Sequence, residues 1–175
     1  MKEKKIGDRV LRIVREDVTD VEVDAFVYYA TSNLLLGSGW GTAIAVRGGP
    51  SIQEELKGLA PVDTGDAVIT AAGEMKAKHI IHAVGPKFQE EDEEAKLRKT
   101  MLSALKCAEE KRVGTLAFPP MGTGFYGIPL DLSAKVMFET IRAHLNNGKS
   151  SVKEIRICLM DSREFPPFEA QMDKI

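Results

Sequence analysis

The chain has 175 residues, of which 43% are hydrophobic and 29% charged, as is ordinary for a globular protein. This length predicts one domain, residues 1–175, that buries roughly two-thirds of its unfolded surface. The formal net charge of −2 provides no broad basic surface, so nucleic acid is not an expected partner and a bound anion must be held by local donors.

Apolar runs rich in β-branched residues alternate along the chain with stretches of helical periodicity. The apolar runs predict strands at 9–15, 24–29, 67–71, 79–84, 115–118 and 155–160. Helices are predicted at 42–46, 50–58, 89–112 and 129–145, with a proline-interrupted terminal helix at 165–175. Strands interleaved with helices indicate an α/β sandwich, in which one sheet is covered by helices on both faces.

The two cysteines and the amino-terminal residues bear on where in the cell the protein is expected to be found. Cys107 and Cys158 are too few for a disulfide framework or a zinc site, so both are predicted to be buried thiols. The charged residues after Met1 are followed by no apolar signal-peptide core, and no apolar run is long enough to cross a bilayer. We therefore expect a cytoplasmic protein without a membrane partner.

The most informative stretch is 116–127, where an apolar run ends at Pro119 and Pro120 and enters a glycine-dense loop before the helix predicted from Pro129. An earlier glycine loop, 37–41, follows the strand predicted at 24–29. Prolines end a strand, glycines let the backbone approach a ligand closely, and the unpaired N–H groups of a helix start suit an anion. A tight strand-to-helix turn without a ligand is the alternative, and the sequence leaves it open.

Both glycine loops are predicted to meet at one edge of the sheet. They follow apolar strands, and the carboxyl edge of a largely parallel sheet is where open α/β folds bind ligands. Two such loops predict a ligand with two phosphates or an extended sugar-phosphate. The later loop also matches the G-x-G-x-x-G spacing, but it lies far from the first strand–helix unit, which argues against a dinucleotide fold.

Taken in order, the motifs of nearly the whole chain resemble those of the macro domain family of ADP-ribose-binding modules. The similar blocks are Glu16-Asp17-Val18-Thr19, Asp24-Ala25-Phe26-Val27, Gly37-Ser38-Gly39-Trp40 with Thr42-Ala43-Ile44, and the stretches 61–70, 79–86 and 117–127. The family counterparts of the first three are Gly-Asp-Ile-Thr, Asp-Ala-Ile-Val and Gly-Gly-Gly-Val. The resemblance implies a three-layer α/β/α sandwich with a mixed, largely parallel central sheet, to which 61–70 and 79–86 contribute two central strands.

The resemblance also implies a ligand, ADP-ribose or an ADP-ribosylated protein, and no cofactor. The carboxylate of Asp17 would accept a hydrogen bond from the adenine amino group, and main-chain N–H groups of the two loops would hold the diphosphate. The implied ligand-binding residues are Asp17, Val18, Gly37, Ser38, Gly39, Trp40, Gly122, Thr123, Gly124, Phe125, Tyr126 and Met160. An Asx-turn for Asp17 and core packing for Trp40 and Tyr126 are the structural alternatives.

The residues after the strand at 24–29 depart from the family. Members that hydrolyse ADP-ribose linkages commonly carry Asn-Ala-Ala-Asn, whereas this chain has Tyr28-Tyr29-Ala30-Thr31, so that Thr31 replaces the final asparagine. Asn33 lies two residues further on, which is outside the tolerance of a catalytic constellation. Tyr28 and Tyr29 are predicted to serve strand packing.

We therefore predict a binding module for ADP-ribose or a related adenine nucleotide-sugar, without efficient catalysis. The alternative is a hydrolase of ADP-ribose derivatives that acts through a positioned water: an ADP-ribosyl hydrolase, an O-acetyl-ADP-ribose deacylase or an ADP-ribose-1″-phosphate phosphatase. For that alternative, Thr31 and Asn33 are the candidate catalytic residues. No metal site is predicted.

Overall fold

The computed structural model describes residues 2–87 and 89–175, and these form one mixed sheet between two layers of helices. The strands are β1 (Lys2–Ile6), β2 (Arg9–Arg15), β3 (Ala25–Ala30), β4 (Ala67–Ala71), β5 (His79–Val84), β6 (Thr115–Phe118) and β7 (Glu154–Leu159). The helices are α1 (Trp40–Gly48), α2 (Ser51–Lys57), α3 (Glu93–Glu110), α4 (Leu130–Leu145) and α5 (Phe165–Lys174). Two short 3-10 helices cover Val18–Asp20 and Gly124–Tyr126.

The strand order is β1-β2-β7-β6-β3-β5-β4. The inner strands β2, β7, β6, β3 and β5 run parallel, whereas β1 and β4 pair antiparallel at the two edges. The prediction of an α/β fold with a mixed, largely parallel sheet is confirmed.

Two details of the sheet differ from expectation. The stretch 61–70 does not supply a central strand, because β4 lies at an edge and pairs only with β5. The connection 72–78 is too short for a parallel crossover, which needs roughly a dozen residues. The other edge strand, β1, was not predicted, because four of its five residues are charged. Charged side chains suit an exposed edge, where they discourage pairing with another chain.

Alternate side chains along each inner strand enter two separate cores. On one face of the sheet, residues such as Val27 and Phe118 pack with α3, α4 and α5. On the other face, Phe26 and Ile80 pack with residues of α1 and α2, among them Ile44. Continuous apolar strands are expected where a parallel sheet is covered on both faces, and this gives the three layers.

Asp24 joins the starts of β3 and β6, the two strands that lead into the glycine loops. Its Oδ2 accepts hydrogen bonds from the N–H groups of Gly114 (2.8 Å) and Thr115 (3.1 Å). Burial raises the pKa of this carboxyl, but the two N–H donors and Lys78 outweigh burial and hold the pKa below its usual range. The carboxylate thereby fixes the relative position of the two strands at their amino ends.

The structure also shows the state of the two cysteines and the character of the helices. Cys107 and Cys158 are buried free thiols, which confirms that prediction. Among the helices described in residues 2–87 and 89–175, none has the length and apolar character needed to traverse a lipid bilayer.

Candidate functional site

A cleft of about 590 Å³ opens at the carboxyl edge of the sheet, a size typical of small-molecule sites. Its walls come from the segments that follow four neighbouring parallel strands: Val18 after β2, Met160 after β7, Gly122 after β6 and Ser38 after β3. Parallel neighbours end at the same edge, so the segments that follow them meet there. The two glycine loops are therefore brought together, although Gly39 and Gly122 are 83 positions apart in the chain.

The first glycine loop leads directly into α1. Gly39 has φ 55° and ψ −131°, a conformation that only glycine adopts without strain, and α1 begins at the next residue, Trp40. The N–H groups of Gly41 and Thr42 donate to carbonyls of the same turn, those of Ser38 and Gly39. By contrast, the N–H groups of Gly39 and Trp40 have no hydrogen-bond partner within the described part of the chain.

The second glycine loop is closed by its own main-chain bonds. Gly127 N donates to Gly124 O and Ile128 N donates to Gly122 O, each at 3.0 Å. Gly122 has φ 75°, and a Cβ placed on it would lie 2.6 Å from Ile128 Cδ1, so no other residue fits this turn. Across the ranges 2–87 and 89–175, no acceptor bonds the N–H groups of Thr123, Gly124 and Phe125.

Large apolar side chains border the cleft. Phe125 is 95% exposed and Trp40 is 45% exposed, and Leu35 and Met160 are more than half exposed. Trp40 is therefore a wall of the cleft and not a core aromatic, which excludes the packing alternative for this residue. Tyr126 is half-buried and its ring centroid lies 4.8 Å from that of Tyr29.

The electrostatics of the cleft are unusual for an anion site, because the residues of 2–87 and 89–175 that line it include carboxylates and no lysine or arginine. The carboxylates belong to Glu16, Asp161 and Glu164. Asp161 forms an ion pair with Arg163 at 2.5 Å, and this hydrogen-bonded pairing lowers the pKa of Asp161 to about 2. An anionic ligand in this cleft must therefore be held by main-chain N–H groups.

Asp17 does not line the cleft, although its neighbours Glu16, Val18 and Thr19 do. Its Oδ1 accepts from Thr19 N at 2.9 Å and from Thr19 Oγ1 at 2.7 Å, so Asp17 caps the short helix Val18–Asp20. Its Oδ2 lies 3.3 Å from Arg47 Nη2. The Asx-turn role left open by the sequence is present, and the contact with adenine stays a prediction.

Of the two candidate catalytic residues, Thr31 and Asn33, only Thr31 borders the cleft. Thr31 lines the cleft, whereas Asn33 and Gly37 are not part of its lining. Asn33 Oδ1 accepts hydrogen bonds from Thr31 Oγ1 (2.7 Å) and Leu35 N (3.1 Å), which turn the amide back onto its own loop. Asn33 therefore does not present its amide to the cleft in place of the family's asparagine.

Tyr28 and Tyr29 were predicted only as strand packing, yet both line the cleft. They are the last residues of β3 before Ala30 and Thr31, and side chains at the carboxyl end of an inner parallel strand border the ligand edge. This position was the signal that could have identified them. Burial raises the pKa of Tyr28 to about 12.

Comparison with known sequences identifies the family. The macro domain model matches residues 27–137. A macro domain-containing protein of Caldanaerobacter subterraneus subsp. tengcongensis is 38% identical over 181 aligned positions, covering 100% of this chain and 99% of the relative. A macro domain-containing protein of Listeria monocytogenes is 40% identical over 158 positions, covering 86% of this chain and 90% of the relative.

Solved structures agree with that result. A mutant of the Oceanobacillus iheyensis macrodomain with ADPR superposes with a TM-score of 0.92 at 25% identity, covering 99% of this chain and 97% of the other. The Trypanosoma brucei macrodomain in complex with ADP-ribose gives a TM-score of 0.86 at 25% identity, covering 93% and 68%. The fold, the order of the motifs and these similarities together show that the chain belongs to the macro domain family.

Proposed function

We propose that this protein binds ADP-ribose, free or attached to another protein, in the cleft between the two glycine loops. The observation that carries the proposal is the set of main-chain donors that the two glycine loops bring to this cleft. Gly39 and Trp40 supply N–H groups from the first loop, and Thr123, Gly124 and Phe125 supply them from the second. The solved macrodomains with ADPR and with ADP-ribose named above support the choice of ligand.

The diphosphate is the part of ADP-ribose that these donors suit. Hydrogen bonds from N–H groups to an anionic oxygen are about twice as strong as bonds between neutral groups. The first loop also lies at the start of α1, a nine-residue helix whose dipole favours negative charge at this end. Backbone donors are already in place before the ligand arrives, so little conformational entropy is lost on binding.

The adenine would occupy the other end of the cleft, between the segments after β2 and β7. Phe26, Val18 and Cys158 provide an apolar surface there, and the flexible thioether of Met160 covers a ring without fixing its identity. Asp17 is not itself part of the lining, but it lies between the lining residues Glu16 and Val18, and we assign the reading of the adenine amino group to its Oδ2, which retains accepting capacity beside its contact with Arg47.

We further propose that hydrolysis is inefficient. Thr31 stands where hydrolysing members of the family commonly carry the final asparagine, and its hydroxyl donates a hydrogen bond to Asn33 Oδ1. The carboxylate of Glu16 follows β2, which is three strand spacings from β3, or about 14 Å. Asp161 and Glu164 follow β7, two spacings or about 10 Å away. Among the described residues, the carboxylates of the lining thus follow strands that are distant from β3, which supports inefficient hydrolysis.

A hydrolase is the second candidate, and one observation favours it. The three N–H donors of the second loop are fixed in position, and fixed donors of this kind can stabilise negative charge that develops in a transition state. This candidate requires a water molecule to be positioned without the asparagine amide.

Calorimetric titration with ADP-ribose tests binding, and the fluorescence of Trp40, the only tryptophan in the chain, provides a second readout from within the cleft. Binding should be measurable at micromolar to millimolar ligand, and the absence of heat from folded protein at millimolar ADP-ribose would contradict the proposal. Release of ADP-ribose from a modified protein, from O-acetyl-ADP-ribose or from ADP-ribose-1″-phosphate would instead favour the hydrolase.

A further inference from the structure

We infer that Tyr29 is the positioning residue of the second glycine loop, so that the affinity for a diphosphate depends on a side chain that belongs to β3. The inference rests on the proposed function, because it names the residue that keeps the loop's N–H donors in their binding arrangement. Tyr29 stands opposite the first alanine of the Asn-Ala-Ala-Asn motif with which the sequence Tyr28-Tyr29-Ala30-Thr31 was compared.

The main-chain ladder leaves the second loop without support from its neighbour β3. The pairing of β3 with β6 consists of Ala25 with Leu116 and Phe26 with Ala117, at the amino end of β3 and in the middle of β6. The pairing of β3 with β5 continues to Ala30. At the cleft, therefore, the backbone of β3 is held by β5, while the segment after β6 has no ladder bond to β3.

The Tyr29 side chain is anchored on the β5 side of this gap. It is 6% exposed, and its hydroxyl donates a hydrogen bond to the carbonyl of Pro86, just after β5. A Cβ added to Gly85 would lie 2.2 Å from Tyr29 Oη and 2.3 Å from Cζ. The ring thus rests directly on the backbone of Gly85, and no larger residue fits there while Tyr29 keeps its place.

The same ring contacts the second loop on its other side. The centroids of Tyr29 and Tyr126 are 4.8 Å apart at an interplanar angle of 53°, and Tyr126 makes an edge contact with Phe125 at 5.4 Å. A Cβ added to Gly122 would lie 3.2 Å from Tyr29 Cε2, so the ring also limits the backbone at the start of the loop. Tyr29 therefore contacts the second loop both at its start and near its end.

Burial of Tyr29 keeps this anchor constant over the ordinary pH range. Desolvation raises the pKa of its hydroxyl strongly, and Tyr126, Glu90 and Glu93 raise it further. The hydroxyl therefore remains protonated and continues to donate to the Pro86 carbonyl. The Tyr29 ring is held by its hydrogen bond to Pro86 over this pH range, and Tyr126 packs against the same ring.

The experiment compares two ligands, ADP-ribose and adenosine, since adenosine has no phosphate and does not engage the second loop. Tyr29→Leu should lower the affinity for ADP-ribose by about tenfold, because it removes an aromatic pair and the packing beneath Tyr126. The affinity for adenosine, measured by NMR titration, should change by less than about twofold. Tyr29→Phe retains the ring and should stay within about threefold of the unsubstituted protein for both ligands.

Gly85→Ala approaches the same ring from the opposite side. Its added methyl group must displace Tyr29, so the affinity for ADP-ribose should fall as in Tyr29→Leu. In the Tyr29→Leu background the same methyl group has room, and its effect should disappear. Such non-additivity is expected only when two residues act through one contact.

Hydrogen exchange in the ligand-free protein provides a readout that does not depend on binding. Tyr29→Leu should speed exchange of the amides of 122–126 and leave those of 39–42 unchanged. Unchanged exchange at 122–126, or equal losses of ADP-ribose and adenosine affinity, would overturn the positioning role. If the unsubstituted protein fails to bind ADP-ribose while exchange at 122–126 responds to Tyr29→Leu, the proposed function fails and the structural inference stands.

Discussion

The amino edge and the carboxyl edge of the parallel strands differ in how the backbone N–H and C=O groups beside them are hydrogen-bonded. At the amino edge, buried or half-buried charged side chains form hydrogen bonds with N–H and C=O groups of the turns. Arg9 donates to the carbonyls of Ser150 (2.6 Å) and Val152 (2.9 Å), and Glu109 accepts from Ser151 N at 2.8 Å. At the carboxyl edge, some N–H groups of both glycine loops, such as those of Gly39 and Gly124, have no partner within the described residues.

This difference shows where the molecule is stabilised and where it is available for binding. An unbonded N–H group costs stability when it is buried, but it costs little at the mouth of an open cleft, where water can reach it. Substitutions at the amino edge should therefore change folding stability without changing ligand affinity, whereas substitutions in the loops should change ligand affinity more than they change stability. Four predictions follow this contrast from the largest expected effect to the smallest.

The largest effect is expected for Glu109→Ala at the amino edge. The carboxylate accepts hydrogen bonds from Ser151 N, from Ser151 Oγ (3.1 Å), from the hydroxyl of Ser150 and from the ring of His144. Leaving these groups without their charged partner should lower the free energy of unfolding by about 3 kcal/mol. Urea denaturation measures this loss, and ADP-ribose affinity at a temperature where the variant is folded should be unchanged. The adjacent exposed residue supplies a control, since Glu110→Ala should have almost no effect.

The second effect is the loss of affinity in Gly124→Ala at the carboxyl edge. Gly124 has φ 68° and no atom within 4 Å of an added Cβ, so the substitution introduces backbone strain without a clash. We expect the loop to relax and the affinity for ADP-ribose to fall about tenfold, while unfolding changes by about 1 kcal/mol. Gly148→Ala is the matched control, because Gly148 is equally open and has an ordinary φ. Equal affinities for the two variants would contradict the role of the loop conformation.

The third effect is the pH dependence of the folding stability that Asp24 contributes. The pKa values of Asp24 and Glu109 are held below their usual 3.8 and 4.5 by hydrogen bonds that outweigh burial. A folded-state pKa below the unfolded one contributes stability that is present above the unfolded pKa and is lost as the pH falls through the folded pKa. Asp24→Asn should therefore cost about 1 kcal/mol at pH 7, and this difference should shrink at pH 3, which lies below the ordinary pKa of 3.8, so that the carboxyl of the unfolded chain is largely protonated. Denaturation at both pH values measures the change, and an equal difference at both would refute it.

The smallest effect is expected from salt. Sites that hold phosphates with lysine or arginine lose affinity as salt screens the attraction, but the lining of this cleft contains no cation. The affinity for ADP-ribose should change by less than about twofold between about 50 and 500 mM salt. A steep fall in affinity with salt would show that a cationic side chain outside the cleft moves in to contact the ligand.

Much of this arrangement was predictable from the sequence, because inner parallel strands are marked by continuous apolar runs such as that of β3. Once the strands are parallel, the glycine loops that follow them must meet at one edge, and this outcome needs no knowledge of contacts. The edge strand β1 escaped prediction because its pairing with β2 depends on a neighbour and not on its own charged residues.

Asp17 and Tyr29 differ in how far the sequence could define their roles. The Asx-turn of Asp17 with Thr19 spans only two residues, so the sequence already offered it, whereas the contact with Arg47 from α1 depends on the fold. Tyr29 was predicted as strand packing because its contacts, Gly85 and Tyr126, lie far away in the chain. The role of Tyr29 is therefore set by elements that only the folded sheet brings together.

A binding site built from peptide N–H groups has a particular mutational profile. Every residue except proline carries that donor, so Ser38 and Thr123 can be exchanged for many other residues without removing one. Sensitivity is concentrated at the glycines with positive φ, Gly39, Gly122 and Gly124, where a side chain changes the direction of the backbone. A saturation mutagenesis scan of both loops would thus show broad tolerance interrupted at a few codons, a pattern opposite to that of a site in which each anionic oxygen depends on one arginine.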